Sequence, residues 1–419
     1  MSPARPPIVR AEVREVALPL LRPFVTGFGT TATRRTVLIH LVDEAGHEGW
    51  GEAAALDHPY YLPDTTSGVW AVVGEWALPA ALAAWAGAGD GDGDRDRDGA
   101  GSGDRTFAGD RGFAGDGAEA AGSAGLTAVA GALAPIRGNT FARCGVEAAF
   151  WTLHAAEQGV SLRELLGGPC TQAPVGESIG IHPTIDDTLA EVQQRLEEGY
   201  RRIKLKVKPG WDREVVAAVR SAVGDGVMVQ VDANGSYTLD QADDLAALDR
   251  FGLACIEQPL GWDALLEHAD LQGRIDTPIC LDESLRSPDD VRRALRIGAC
   301  RNVNLKPGRV GGLTASLEIH QICADAGVAL WCGGMLESGI GRCVNLALCS
   351  LPGFTDPADM SPASVLYAWD LVDPTYEVEP DGTVAVPAGA GLGLPVREDR
   401  IAEQTVRRLE LDPLGVPPA

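Results

Sequence analysis

Five charged residues recur at a nearly constant interval in the second half of the chain, each at the end of a short apolar run. They are Lys206 in RIKLK, Asp232 in VMVQVD, Glu257 in ACIE, Asp282 in PICLD and Lys306 in NVNLK. Carboxylate oxygens are the ligands that Mg²⁺ prefers, and Mn²⁺ or Co²⁺ would also be held. A lysine on either side predicts proton transfer from two faces. One such carboxylate alone would favour a helix cap or an ion pair, but the ordered set of five favours chemistry.

The spacing of these five residues predicts the elements that carry them. Their intervals are 26, 25, 25 and 24 residues, about the length of one strand, one helix and two short loops. The apolar runs are short, continuous and rich in β-branched residues, as buried parallel strands are. The segments between them have helical periodicity, with N-caps predicted at Asp240 and Ser287. We therefore expect a (β/α) barrel with the five side chains at its C-terminal face, where such barrels place active sites.

The length of the chain, 419 residues, exceeds that of one barrel of about 250 and predicts further structure around it. Residues 1–137 contain strand-like alternation and a helical stretch, which predicts an α+β domain. Residues 138–370 are the barrel, and residues 371–419 are expected to pack on the first domain. Residues 87–125 are almost wholly Gly, Ala, Asp and Arg. We interpret this segment as a disordered insertion, because it buries too little apolar surface to offset its ordering entropy.

Composition points to a cytoplasmic enzyme. A net charge of −24 argues against nucleic acid and anionic membranes as partners. No apolar stretch reaches the roughly 18 residues of a membrane span, and MSPARPPIVR lacks a signal-peptide core. The nine cysteines form no CxxC pair, and Cys255, Cys280 and Cys332 fall in predicted strands. This pattern predicts reduced thiols, with Cys332 interpreted as a core residue in preference to a nucleophile.

The barrel motifs together resemble those of one known family. KLK, VDAN, EQP, LDES, NLKPGRVGG and WCGGMLESGIGR look like the enolase superfamily, and most like its o-succinylbenzoate synthase / N-acylamino acid (N-succinylamino acid) racemase group. The resemblance extends from LPLLRPFVTGFGT and EGWGEA to PAGAGLGLP, with residues 87–125 as the main departure. It implies an enolase-type modified barrel under an N-terminal capping domain. It also implies abstraction of a proton α to a carboxylate, which superfamily members are known to perform with a Lys or His base and Mg²⁺.

The resemblance implies a role for each matched residue. Lys206 and Lys306 would transfer protons, and the three carboxylates would hold the metal. Lys204 projects to the same side of its strand as Lys206, where its charge would lower the pKa of that lysine. The implied substrate contacts are Ser178, Lys204, Asn234, Gly334 and Met335, although Lys204 could instead form a simple ion pair with one of the carboxylate ligands. Glu283 is expected either to orient Lys306 by charge pairing or to form an ion pair at the barrel rim. Residues 24–30 and 57–61 match loops that cover the barrel mouth, although ordinary turns have the same composition.

The expected partner is a small-molecule carboxylate, and the expected assembly is a homo-oligomer, because barrels of this superfamily commonly associate. A muconate-cycloisomerase-like enzyme remains an alternative, since such enzymes share the KxK motif and the lysine pair. Mandelate-racemase-like enzymes fit less well because ALWCGG lacks their histidine, and the spacing of Asp356 and Asp359 does not match dipeptide epimerases. A non-catalytic barrel is disfavoured because all five charged residues are present. Racemisation and dehydration to o-succinylbenzoate both remain open.

Overall fold

The computed structural model describes residues 5–26, 29–88 and 123–413. The predicted insertion at 87–125 therefore lies largely outside the described residues, and so does part of the predicted loop at 24–30. Gly87 ends one helix and Ala124 begins the next, so the predicted boundaries of the insertion lie one to two residues inside helical structure.

The first domain is built on a four-stranded antiparallel sheet. Its strands are β1 (Ile8–Thr26), β2 (Gly29–Asp43), β3 (Glu48–Ala53) and the distant β13 (Thr405–Leu411), in the order β13–β1–β2–β3. The helices of this domain are α1 (Thr66–Gly87, with a π-helical stretch at Val73–Ala77), α2 (Ala124–Leu133) and α3 (Thr140–Glu157). In the pairing of β1 with β13, Ala11 lies opposite Leu411. The C-terminal segment thus completes the N-terminal sheet.

Two glycines of the EGWGEA motif allow helix α3 to pack directly on the sheet. A side chain at Gly49 would clash with the carbonyl oxygen of Ala149, and one at Gly51 with that of Gly145. Gly145 in turn faces Ala53 and Ile39 without room for a Cβ. The motif is therefore explained by close backbone approach at this interface.

Helix α1 corrects one expectation. Thr66–Gly87 spans 22 residues with a mean hydropathy of 1.4 in its most apolar window, so it is long and apolar enough by length and composition to cross a membrane. The composition argument overlooked it because the stretch contains the single charged residue Glu75. Its buried residues, including Val69, Val73 and Leu82, belong to the main hydrophobic core. This packing is that of a core helix, which satisfies the same length and composition criteria.

The second domain is a nearly closed parallel barrel of eight strands, which confirms the predicted fold. Its strands run in the order β10–β9–β8–β7–β6–β5–β4–β11. They are β4 (Gln172–Ile179), β5 (Arg202–Lys206), β6 (Met228–Asp232), β7 (Ile256–Glu257), β8 (Ile279–Leu281), β9 (Asn302–Leu305), β10 (Ala329–Cys332) and β11 (Ala358–Asp359), and β12 (Thr383–Ala385) adds antiparallel to β4. The two end strands of this order, β10 and β11, form no ladder with each other. Near the gap between them, Leu330 and Phe354 form an isolated bridge.

Most of the remaining helices lie in the connections between barrel strands. The remaining helices are α4 (Leu162–Leu165), α5 (Ile185–Glu197), α6 (Arg213–Val223), α7 (Ala242–Ala246), α8 (Leu265–Gln272), α9 (Pro288–Arg296), α10 (Pro307–Val310), α11 (Leu313–Ala326), α12 (Gly339–Cys349), α13 (Ala363–Leu366) and α14 (Glu398–Gln404). Helix α4 precedes the first barrel strand, whereas α13 and α14 follow the last. Ser287 caps α9 as predicted, accepting from the backbone of Asp290. The N-cap predicted at Asp240 is wrong. Thr238 takes that role in a capping box with Gln241, because a 3₁₀ turn at Leu239–Gln241 starts the segment earlier.

Candidate active site

The five predicted residues all lie at the C-terminal ends of neighbouring barrel strands. Lys206, Asp232 and Glu257 are aligned in register across β5, β6 and β7. Asp282 directly follows β8, and Lys306 directly follows β9. Because inward and outward side chains alternate along each strand, this alignment brings the charged groups to one end of the barrel interior.

The carboxylates are buried and accept hydrogen bonds from cationic side chains. Lys204 contacts three acidic residues: its Nζ lies 3.0 Å from Glu257 Oε2 and 3.6 Å from Asp232 Oδ2, and it also donates to Asp359. The amide of Asn304 donates to the other oxygen of Glu257 at 2.7 Å. Lys204 thus lies at the centre of a buried acidic cluster.

Lys206 is held by residues of the next strand. Its Nζ donates to Asp232 Oδ2 at 2.6 Å and to Asn234 Oδ1 at 2.8 Å. The amide nitrogen of Asn234 then donates to Glu283 Oε1 at 3.0 Å. Glu283 was expected to orient Lys306 by charge pairing. The charge of Lys306 does favour the ionised form of Glu283, although burial and the charges of Asp282 and Asp232 raise its pKa. Its hydrogen bond to Asn234, a residue with positive φ, also links Glu283 to Lys206.

Lys306 forms hydrogen bonds with residues of both domains. Its Nζ donates to Asp282 Oδ2 at 2.9 Å and to the hydroxyl of Tyr61 at 3.0 Å. That hydroxyl donates to the other oxygen, Asp282 Oδ1, at 2.7 Å, where Arg309 also binds. Tyr61 belongs to the capping domain, so residues of the predicted loop at 57–61 reach the catalytic face of the barrel.

The electrostatics of the site are set by burial and by the charges around each carboxylate. Burial, assisted by the charges of Asp232 and Asp282, raises the pKa of Glu257 to about 7. Burial and the same two carboxylates raise the pKa of Glu283 to about 8. Burial opposes ionisation of Asp282 as well, but the neighbouring Lys306 and Arg309 outweigh it and lower its pKa to about 2. The neighbouring cations therefore outweigh burial at Asp232 and Asp282 but not at Glu257 and Glu283.

The chemistry of this donor set suits a divalent cation, because oxygen-only ligands are those that Mg²⁺ prefers. Three hard carboxylate groups lie at the ends of adjacent strands, and burial together with the charges of Asp232 and Asp282 raises the pKa of Glu257. Their oxygens do not form a ready ligand set: in the part of the chain that the structure describes, the three residues whose ligand atoms all lie within 4.8 Å of one another are His40, Glu48 and Glu398. A cation held by the three barrel carboxylates would offset the repulsion among them.

The remaining predicted positions line the same end of the barrel. Ser178 is half-buried and pairs in register with Lys204, so both side chains point inward. At Gly334 a Cβ would lie 2.7 Å from the carbonyl oxygen of Asp359, so this loop passes too close for a side chain. Met335 is buried, and its backbone nitrogen donates to Glu337 at 2.8 Å. As at Gly334, a Cβ at Gly333 would clash, here with the side chains of Asn304 and Lys306.

Sequence reasoning missed four residues of the cluster. They are Tyr61, Asn304, Arg309 and Asp359. The inward direction of Asn304 could have been predicted, because this residue lies two positions before Lys306 on the same strand. Asp359 had been considered only as part of a motif that does not match. No sequence pattern indicated that Tyr61 contacts Lys306, because the two residues are 245 positions apart in the chain.

Comparisons with known proteins agree with this geometry. The family described as Enolase C-terminal domain-like matches residues 187–400. The chain is 40% identical to an o-succinylbenzoate synthase of Geobacillus kaustophilus, over 94% of each chain. It is 41% identical to an N-succinylamino acid racemase of Thermus thermophilus, over 92% of this chain and 94% of the relative. A crystal structure of an enolase-superfamily member from Listeria innocua superposes with a TM-score of 0.85 at 32% identity, over 98% of this chain and all of that one.

The chain therefore belongs to the enolase superfamily, in its o-succinylbenzoate synthase / N-succinylamino acid racemase group. It is an enzyme of that superfamily, whose members share metal-dependent proton abstraction next to a carboxylate.

Proposed function

We propose that this enzyme racemises N-succinylamino acids, dehydrates the precursor of o-succinylbenzoate, or does both. The observation that carries the proposal is the pair of lysines, Lys206 and Lys306, bonded to different carboxylates of one buried cluster. Two amines on opposite sides of a substrate are what a racemase needs. The two activities named for the relatives at about 40% identity support the same choice.

Asp232, Glu257 and Asp282 would hold the metal, proposed as Mg²⁺, with Mn²⁺ or Co²⁺ as substitutes. When bound, the metal supplies positive charge that stabilises the negative charge developing on the substrate carboxylate. The chain contributes a buried setting in which this attraction is strong, since all three carboxylates are nearly inaccessible to solvent.

Lys206 and Lys306 would move the protons. In racemisation one lysine removes the α-proton and the other delivers a proton to the opposite face, and the roles exchange for the other enantiomer. In the dehydration one lysine removes the proton and assists loss of hydroxide from the same face, while the other remains a cation near the enolate. Both lysines donate hydrogen bonds to carboxylates of the proposed metal site. Burial opposes the charge of Lys306, but the neighbouring carboxylate of Asp282 outweighs it and raises the pKa of this lysine.

The remaining residues would bind the substrate. Lys204 offers its charge to the substrate carboxylate, and Ser178 lies beside it on the neighbouring strand. Asn234 would contact substrate while holding Lys206, with Glu283 supporting it from behind. Gly334 and Met335 would let the backbone of their loop approach the ligand.

Two broader expectations belong to the same proposal. We place the enzyme in the cytoplasm, because none of its nine cysteines is in a disulfide. We expect a homo-oligomer, which light scattering coupled to size-exclusion chromatography would test.

The proposal is tested by assaying purified enzyme against N-succinylamino acids, other N-acylamino acids, the dehydratase substrate and muconate. In D₂O, Lys206→Ala and Lys306→Ala should each lose racemisation by at least about 10². Each should retain α-proton exchange for one enantiomer, the opposite one in each variant. The exposed Lys208→Ala serves as the matched control and should behave like the parent. Racemisation within a few-fold of the parent in both active-site variants would disprove the assignment of the lysines, and activity on muconate alone would favour the alternative.

A further inference from the structure

We infer that Tyr61 is a positioning residue for Lys306, so that the capping domain orients one of the two proton-transferring lysines and not the other. This inference rests on the proposed function and deepens it. It predicts that proton exchange through Lys306 depends on Tyr61, a residue outside the barrel, whereas proton exchange through Lys206 does not.

Tyr61 makes three contacts with the Lys306 side of the site. Its hydroxyl accepts a hydrogen bond from Lys306 Nζ at 3.0 Å and donates one to Asp282 Oδ1 at 2.7 Å. Its ring lies under the same ammonium, with Nζ 4.7 Å from the ring centroid. Tyr61 is 8% exposed, so these contacts form away from bulk water and are correspondingly strong.

Lys206 is held differently. Its hydrogen-bond partners among the described residues, Asp232 and Asn234, both belong to the barrel. Within the described ranges, the positioning of Lys206 therefore involves no hydrogen bond from the first domain. The two lysines play equivalent chemical roles in racemisation, but they are positioned by different parts of the chain.

Because the Tyr61 hydroxyl contacts both Lys306 and Asp282, it restricts the position of the Lys306 ammonium more than the Asp282 carboxylate alone would. Lysine has four rotatable side-chain bonds, and its ammonium has no preferred direction around a single acceptor. The Tyr61 hydroxyl and ring supply a second and a third fixed point. Proton transfer requires the amine within hydrogen-bond reach of the α-carbon, and small misplacements cost up to about 10² in rate.

The test is Tyr61→Phe, which removes the hydroxyl and keeps the ring. The deuterium exchange rate at the α-carbon is measured separately for each enantiomer. The enantiomer served by Lys306 is the one that still exchanges in Lys206→Ala. We expect its exchange to fall about 10-fold or more in Tyr61→Phe, with exchange of the other enantiomer within about two-fold of the parent.

Tyr376→Phe is the matched control. Tyr376 is 7% exposed, and its hydroxyl bonds Arg342 at 3.1 Å and the carbonyl oxygen of Ser361 at 3.0 Å. Loss of this hydroxyl should affect both enantiomers equally, as a purely structural defect does. In a Lys306→Ala background, Tyr61→Phe should cause no further loss beyond about two-fold in the remaining exchange through Lys206, because the positioning effect of Tyr61 acts through the missing lysine and only its hydrogen bond to Asp282 is then lost.

Equal losses for the two enantiomers, or none, would overturn the inference while the proposed racemase stands. A further loss caused by Tyr61→Phe in the Lys306→Ala background would also overturn it. If the parent only dehydrates, kcat is compared with and without Tyr61→Phe in the parent and in Lys306→Arg, and equal losses in both overturn the inference. A parent active on neither substrate class would refute the proposed function, and the inference would fall with it.

Discussion

Glu52 of the capping domain accepts hydrogen bonds from Ser338 and from the first turn of the barrel helix that Ser338 caps. Its carboxylate accepts from the backbone nitrogen of Ser338 at 3.1 Å, from the hydroxyl of the same residue at 2.6 Å, and from the nitrogen of Gly341 at 2.9 Å. Ser338 is the N-cap of α12, which follows the loop that contains Gly334 and Met335. A carboxylate at a helix N-terminus is favourable, so this contact fixes the capping domain to the active-site face.

Replacement of Glu52 by Ala is predicted to destabilise the enzyme by about 3 kcal/mol, because buried donors at the start of α12 lose their acceptor. Glu52→Gln keeps one acceptor oxygen and should cost less. Chemical denaturation of both variants and the parent measures the difference. Equal stability of the alanine variant and the parent would show that water replaces the carboxylate without cost.

Metal removal is predicted to abolish activity. EDTA should inactivate the enzyme, and Mg²⁺, Mn²⁺ or Co²⁺ should restore it. Added Mg²⁺ should also raise Tm, by the equivalent of about 2.7 kcal/mol at 100 times Kd. Asp232→Asn should weaken this Tm shift in a protein that remains folded, whereas the exposed Asp186→Asn should preserve it. Full activity in a demonstrably metal-free sample would refute the prediction.

Replacing residues 89–122 by a short Gly/Ser linker is predicted to leave turnover unchanged and Tm within about 2 °C of the parent. The composition of the segment cannot form a core. The ends that the linker must join are close, because a Cβ on Gly125 in α2 would lie 2.8 Å from the Trp85 ring in α1. Differential scanning calorimetry provides the comparison, and a large fall in Tm would show that the segment contributes to the fold.

His268 is predicted to make stability depend on pH. Burial lowers its pKa to about 4, and the neutral ring accepts from the nitrogen of Leu260 and bonds the carbonyl oxygen of Ala264. Between the unfolded pKa of 6.5 and this value, the unfolded chain binds one more proton than the folded chain. The stabilising contribution of His268 is therefore complete above pH 6.5 and falls as the pH decreases, by about 1.4 kcal/mol per pH unit.

Urea denaturation of the parent and His268→Gln across pH 4–7 checks this prediction. The glutamine keeps a donor and an acceptor but does not titrate. The pH dependence of the variant should be flatter in this window, and identical slopes for the two proteins would contradict the assignment.

The sequence predicted the barrel and its central cluster because both depend on local patterns. The interval between Lys206 and Asp232 is that of one repeating unit, and strand ends in successive units must meet at one face. The loop at 57–61 was predicted to cover the barrel mouth, but the contacts of Tyr61 and of Glu52 could not be predicted, because they depend on how two domains pack. The hydrogen bond between Glu283 and Asn234 could not be predicted for a related reason, because it depends on the local backbone of Asn234, which has a positive φ.

The pairing of β13 with β1 has a consequence for biosynthesis. During synthesis, β1 emerges before the barrel strands and its neighbour β13 emerges after them. One edge of β1 must therefore stay unpaired while the barrel is made, and exposed edges of this kind invite association with other chains. The barrel would be the first part of the nascent enzyme able to fold, with the lid over its catalytic face completed last.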